Sequence, residues 1–345
     1  MKHLLIAASA LALMAVPALA RDQIRIVGSS TVYPFTTAVA EAFGKTSGMK
    51  TPVVESTGTG GGFKLFCAGV GEDTPDFSNA SRPIKKSEFE ACAKNGVTEI
   101  VEIKIGFDGL SIAHAKAAQD FALTKQQIFL ALAKQVPGAD GKLVANPNKL
   151  WSDIDASLPA TKIEVLGPPP TSGTRDSFAE LVMEQGAATI DSLKQLKTAD
   201  AKAFETVWKS MREDGAYVEA GENDNLLVQK LEANPEALGI FGYSFLDQNE
   251  SGIKGIAVDG VAPSYESIAG GEYKVSRPLF VYAKKQHVGS VPGMAAFIAE
   301  YVSDKAIGED GYLAGKGLVT LPGDQAEKSR TLAAAMAILK ADQLM

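Results

Sequence analysis

Cysteine is nearly missing from this chain: Cys67 and Cys92 are the only two, and histidine is limited to His3, His114 and His287. Two thiols and widely separated imidazoles do not supply the ligand set of a zinc site, and no metal or other cofactor is expected. An excess of positive charge is also lacking. Lys and Arg number 34 against 41 Asp and Glu, a formal net charge of −7, which makes the chain a poor general binder of nucleic acid or anionic membrane. The Gly-rich run Gly58 to Gly62 does not end in the Lys-Ser/Thr of a phosphate-binding P-loop, and the dinucleotide glycine pattern fails at Phe63. No Gly-x-Ser-x-Gly elbow, no Ser-x-x-Lys at Ser81 and no histidine near a candidate serine points to nucleophilic catalysis, so an enzyme is not expected. There is no internal repeat and no low-complexity tract.

An apolar run of spanning length is missing as well; the one at the start is too short. Lys2, an apolar stretch from Leu4 through Val16, and Ala18-Leu19-Ala20 before Arg21-Asp22 read as a secretory signal peptide over 1–20, cleaved after Ala20. The exported product of about 325 residues exceeds what one compact core usually holds, which favours two lobes. In an oxidising compartment the even pair Cys67 and Cys92 is expected as one disulfide, worth about 3 kcal/mol.

Four times a short strand runs into a turn rich in Ser and Thr. Ile24 to Val27 leads to Gly28-Ser29-Ser30-Thr31. Pro52 to Glu55 leads to Ser56-Thr57-Gly58-Thr59 and three glycines. Asp76 to Ala80 leads to Ser81-Arg82-Pro83. Ile163 to Leu166 leads through Gly167 and three prolines to Thr171-Ser172-Gly173-Thr174-Arg175-Asp176, which opens an amphipathic helix. The first N–H groups of a helix lack intrahelical partners and lie at the positive end of its dipole, so such turns suit an oxyanion. Ser or Thr there also serves as an ordinary N-cap, as does Asn223 before a later helix. Strand ends of an open α/β sheet are where ligands collect, and four such turns sharing one crevice go beyond capping.

Thr98 to Ile105 and Leu110 to Ala115 read as two strands joined by a short glycine turn at 106–109, a crossing between lobes. His114 reads as a packed strand residue, and Trp151 as an anchor on a second core. A return crossing is expected near residue 250. The division is therefore 21–108 for the first lobe, 109–249 for the second, and 250–345 for the return to the first.

In order and spacing, Gly28-Ser29-Ser30-Thr31-Val32-Tyr33-Pro34, Gly58-Thr59-Gly60-Gly61-Gly62-Phe63-Lys64, Ala80-Ser81-Arg82, Thr171 to Asp176, and Gly239 to Tyr243 resemble the periplasmic phosphate-binding protein family of phosphate ABC transporters. The resemblance implies an α/β, two-lobed type II periplasmic binding protein, each lobe a mixed sheet flanked by helices, with inorganic phosphate in the cleft and a membrane permease as partner. It also implies a periplasmic monomer that does not insert into the membrane. Carried over motif by motif, phosphate contacts fall on Ser30, Thr31, Thr59, Ser81, Arg82, Ser172, Gly173, Thr174 and Arg175. Many relatives have an aspartate where Arg82 stands and an arginine where this chain has the prolines before Ser172. Arg82 or Arg175 is then expected to supply the positive charge. A serine hydroxyl, a backbone carbonyl or an inward Asp176 would accept the ligand proton. Another tetrahedral oxyanion such as sulfate or arsenate, a phosphatase-like hydrolase, and an additional adhesion role on the same fold are the alternatives.

Overall fold

The computed structural model describes residues 21–170, 172–220 and 224–344. The signal-peptide segment, Thr171 and Asn223 lie outside them. Short runs of Ile, Val and Phe build the first strands, β1 (Arg25–Gly28), β2 (Val53–Ser56) and β3 (Phe77–Ala80), followed by the long β4 (Ile100–Ala115). A separate hairpin pairs β5 (Gln135–Pro137) with β6 (Leu143–Ala145). Then come β7 (Val165–Gly167), β8 (Tyr217–Glu219), β9 (Leu238–Gly242), β10 (Ile253–Gly255) and β11 (Ser276–Lys284). The larger sheet runs β2-β1-β3-β11-β4-β9-β7-β8, with β10 also paired to β4.

Strand β4 is common to two lobes. Its first part pairs antiparallel with β11, beyond which lie β3, β1 and β2; its second part pairs antiparallel with β9 and β10, and β9 leads to β7 and β8. In the first lobe the period of two sends side chains to both faces of the sheet. Val101, Ile103 and Ile105 of β4 and Leu279 and Val281 of β11 enter one core, whereas Ile100, Phe280 and Tyr282 enter the other. Helices cover both faces, as a sheet that is apolar on both sides requires. The second lobe has a single large core that takes in Trp151, Phe129, Phe178 and Phe241.

Two expectations about the crossings need correction. Residues 106–109 are not a turn; β4 runs unbroken through them for 16 residues. The pairing skips Ile105, with Leu279 opposite Gly106 and Phe280 opposite Lys104, and this bulge bends the strand where it changes lobes. Gly106 serves close packing, because a Cβ there would lie 2.7 Å from both Leu318 Cδ1 and Val319 O. The return also falls later than residue 250. Strand β10 pairs with the second-lobe half of β4, and Ile253, Ile268 and Tyr273 belong to the second core, so the strand that crosses back is β11.

Helix α1 (Tyr33–Ser47) starts with a proline in its first turn, buries Phe35, Val39 and Phe43 on one face, and ends at Gly48 in the left-handed region. Helix α2 (Thr59–Phe66) and α3 (Lys86–Lys94) are joined by the Cys67–Cys92 disulfide. Helix α4 (Lys125–Leu132) packs in the second lobe, as does α5 (Gly173–Phe178), which continues as a π-helical turn over Ala179–Met183 and a further helix over Glu184–Ala188. His114 is buried in β4 and Trp151 in the second core. Among the described residues no helix is long and apolar enough to cross a membrane, and no group of three or more potential metal ligands occurs.

Candidate functional site

The ends of β1, β2 and β3 in the first lobe and of β7 in the second point at one another across the cleft. This follows from parallel pairing within each lobe, which puts successive strand-to-helix turns at the same sheet edge. The turns do not all open on one hollow. Ser30, Thr59, Ser81, Arg82, Arg175 and Asp176 line a hollow of about 980 Å³. Ser172, Gly173 and Thr174 line a neighbouring one of about 700 Å³, which Asp108 and Ser177 also face. Ser30 and Thr31 border both. The partition arises because the first-lobe loop meets the start of α5 directly: a Cβ on Gly173 would lie 3.3 Å from the Ser30 carbonyl oxygen. Gly173 thus allows the close approach of the opposite lobe, where a Cβ would make the Ser30 carbonyl give by a few tenths of an ångström.

Capping accounts for some of the hydroxyls. Ser29 Oγ accepts from the Val32 N–H at 3.4 Å, and Ser172 Oγ accepts from the Thr174 N–H at 3.2 Å. Ser30 and Thr31 are not used this way. Ser30 Oγ donates across the cleft to Asp176 Oδ2 at 3.1 Å, and Thr31 Oγ1 lies 3.2 Å from Ser177 Oγ. Thr59 Oγ1 lies 3.1 Å from Ser81 Oγ and accepts from the Ser81 N–H at 3.2 Å, which ties two first-lobe turns together. Of the glycines before Phe63, Gly60 and Gly61 border the larger hollow. Gly62 instead packs α2 onto β1, where a Cβ would come within 2.5 Å of Gly28 Cα.

The two arginines expected to carry the charge are both engaged elsewhere. Arg82 forks onto Glu88 with hydrogen bonds of 2.9 and 2.7 Å, and Glu88 also accepts from the Lys85 N–H at the start of α3. Burial pushes the Glu88 carboxyl up, but the hydrogen bonds from Arg82 and the Lys85 backbone outweigh it and hold it below its usual value. Arg175 stacks on the Tyr217 ring, 4.4 Å from its centre, and donates to the Pro168 carbonyl at 3.2 Å. Tyr217 OH donates to the same carbonyl at 2.7 Å, and burial pushes that phenol up to about 12, so it stays a neutral donor.

A third arginine, outside the Ser- and Thr-rich turns, stands where the lobes meet. Arg277 near the start of β11 donates through Nη2 to Thr31 Oγ1 at 2.8 Å and to Ser177 Oγ at 2.5 Å, and through Nη1 to Glu180 Oε2 at 2.5 Å. Its Nε lies 3.5 Å from Asp108 Oδ2 without forming a hydrogen bond. Ser177 Oγ in turn donates to Asp108 at 2.8 Å. Asp108, Ser177, Glu180 and Arg277 were not singled out from sequence. The available signals were a lone guanidinium at the head of the apolar run 278–283 and an aspartate within Gly106-Phe107-Asp108-Gly109. Asp176, the inward carboxylate left open from sequence, does face the cleft.

The arrangement collects hydroxyls, helix starts, a guanidinium and carboxylate acceptors between two lobes. That set suits a partly protonated oxyanion. The family model of the PBP superfamily domain matches residues 15–305. Protein SphX of Synechococcus elongatus is 34% identical over 266 residues, covering 75% of this chain and 67% of that protein. Phosphate-binding protein PstS of Staphylococcus saprophyticus is 31% identical over 285 residues, covering 81% and 75%. A crystal structure of a possible phosphate binding protein from Planctomyces limnophilus superposes with a TM-score of 0.71 at 29% identity, covering 91% of this chain and 98% of that one. The two-lobed type II binding-protein architecture is shared with these relatives, and the chain belongs to the PBP superfamily and, within it, to the family that holds the phosphate-binding proteins PstS.

Proposed function

We propose that this protein is exported by its N-terminal signal, captures inorganic phosphate between its lobes, and delivers it to the permease of an ABC transporter without acting as an enzyme. The observation that carries the reading is the junction of Thr31 from one lobe, Ser177 from the other and Arg277 on the crossing strand, with Ser30 reaching Asp176 beside it. Thr59, Ser81, Ser172, Gly173 and Thr174 border the adjoining hollows and complete the donor set, with Arg82 and Arg175 at the wall. Asp176 and Asp108 give the site two carboxylates. A carboxylate accepts a hydrogen bond from the proton of hydrogen phosphate and repels fully ionised sulfate, so these residues favour phosphate and arsenate over sulfate.

Each hydrogen bond to a charged group contributes about 1.5–3 kcal/mol, and several together leave about −8 kcal/mol, a micromolar dissociation constant, after dehydration of the ion. Closure of the lobes buries the anion and completes its donors. Calorimetry with phosphate, arsenate and sulfate tests this. Saturable heat with phosphate and arsenate and none with sulfate is expected; heat with sulfate alone would overturn the assignment.

A further inference from the structure

The helix that begins at α5 turns one charged face toward the first lobe. Asp176 and Glu180 stand four residues apart, one turn of helix, with Ser177 between them. Asp176 takes the hydroxyl of Ser30, and Glu180 takes one arm of the Arg277 guanidinium. Ser177 takes the other arm and lies against Thr31. So the second lobe presents carboxylates of its own to the donors that face the cleft. The Arg277 side chain is only 10% exposed, whereas Glu180 is 51% exposed. Asp108 already lies beside Arg277 on the paired strand and compensates part of its charge. Glu180 is therefore not needed to make Arg277 tolerable in its surroundings. The next carboxylate on this face, Glu184, is held by Lys197 at 2.8 Å and does not reach Arg277.

We propose that Glu180 is an affinity-setting residue: through Arg277, and together with the Asp176–Ser30 contact, it forms a clasp between the lobes that an incoming oxyanion must displace. This rests on the phosphate-capture reading for the identity of the anion, though not for the existence of the clasp. A contact present before binding and broken by it lowers the apparent affinity by its own free energy. The same contact holds the lobes of the free protein together with Arg277 committed to Glu180, an arrangement distinct from the one that closes on the anion. Both consequences have a definite sign. Neutralising Glu180 frees Arg277 for the anion, and it also loosens the lobes when no anion is bound.

A double-mutant cycle with inorganic phosphate decides whether Glu180 works through Arg277. Calorimetry on the wild type, Glu180→Gln, Arg277→Gln and the double variant is expected to show Glu180→Gln binding about fivefold more tightly than wild type. In the Arg277→Gln background the same substitution should give no gain. Unchanged or weaker binding by Glu180→Gln, or an equal gain in both backgrounds, would overturn the proposal, since the latter is the mark of a general charge effect. Glu184→Gln removes a charge from the same helix face without touching Arg277 and should leave affinity unchanged. Small-angle scattering on protein dialysed free of phosphate provides a readout independent of the anion. Glu180→Gln should be more extended than wild type, and an identical scattering profile would refute the clasp. If wild-type protein bound no phosphate, the capture reading would fall while the scattering comparison still decided the clasp.

Discussion

Arg82 and Arg277 both stand beside cleft hydroxyls, yet their surroundings differ in a way that decides what each can do. Arg82 follows Ser81 at the end of a strand, where a motif reading looks for the charge of the site. Its fork is matched to both oxygens of Glu88, a residue that also caps α3, so its charge is spent within one wall of the first lobe. Arg277 is shared among Thr31 of the first lobe, Ser177 and Glu180 of the second, and Asp108 beside it. A bidentate pair closed within one lobe is a structural brace. A guanidinium divided between lobes senses their separation, and adjacency in sequence to the hydroxyl motif does not distinguish the two.

The sharpest way to break this comparison is to remove each guanidinium in turn. Arg277→Gln is expected to weaken phosphate binding on the order of 100-fold, roughly 2–4 kcal/mol, because it deletes a nearly buried cation and leaves Asp108 beside it without that counter-charge. Arg82→Gln should cost about threefold or less, since Glu88 already neutralises that charge at the hollow's edge. Equal losses measured by calorimetry, or a larger loss at Arg82, would reverse the assignment of the two roles.

What was legible in the sequence follows the same division between local and distant contacts. The strand-to-turn segments at Ser30, Thr59, Ser81 and Ser172 could be read because a short apolar run and the turn that ends it are neighbours in the chain. The Cys67–Cys92 bridge followed from the count of two. The role of Arg277 could not be read in this way. Its partners Thr31, Asp108, Ser177 and Glu180 come from three other segments, and only the pairing of β11 with β4 places it among them. The turn expected at 106–109 failed for a related reason: glycine marks a bend and a place of close packing equally well in sequence. The contact of Gly106 with Leu318 and Val319, distant in the chain, selects the second. The early return at residue 250 failed because β10 reads as a strand whichever half of β4 it joins.

A smaller effect is expected from the wall that holds Arg82. The Cys67–Cys92 bridge ties the end of α2 to the last turn of α3, so it braces Thr59 at one end of α2 and Glu88 within α3. Reduction should lower stability by about 3 kcal/mol or less and the melting temperature by about 5 °C. Free-thiol titration of native protein should find no reactive cysteine. If the junction at Arg277 dominates binding, the reduced protein keeps its phosphate affinity within about threefold at temperatures where it is folded. A large loss of affinity without unfolding would show that the α2–α3 wall contributes more than its paired arginine suggests.

The last contrast is within β11, which carries Arg277 near its start and Lys284 at its end. Lys284 is fully buried; its Nζ donates to the Gly69 carbonyl at 2.6 Å and to Thr74 Oγ1 at 2.8 Å and lies over the Phe66 ring. These partners are neutral. Burial pulls the Lys284 ammonium down to about 8, against an opposing pull from Asp76. Below pH 8 the amine is protonated in both the folded and the unfolded chain, so it adds no slope to stability. Between about pH 8 and 10.5 the unfolded chain binds more protons than the folded one, and stability conferred by this site rises with pH. Urea unfolding of wild type and Lys284→Met across pH 7 to 10.5 isolates that contribution, because the other titrating groups are common to both proteins. Wild-type stability relative to the variant should be level up to about pH 8 and climb above it. A difference that stays level, or falls, would mean that the carbonyl and hydroxyl of the 69–74 loop stabilise the charged amine as effectively as a carboxylate would. The distinction between cations matched by carboxylates and cations held by neutral groups would then lose its force at this end of the strand.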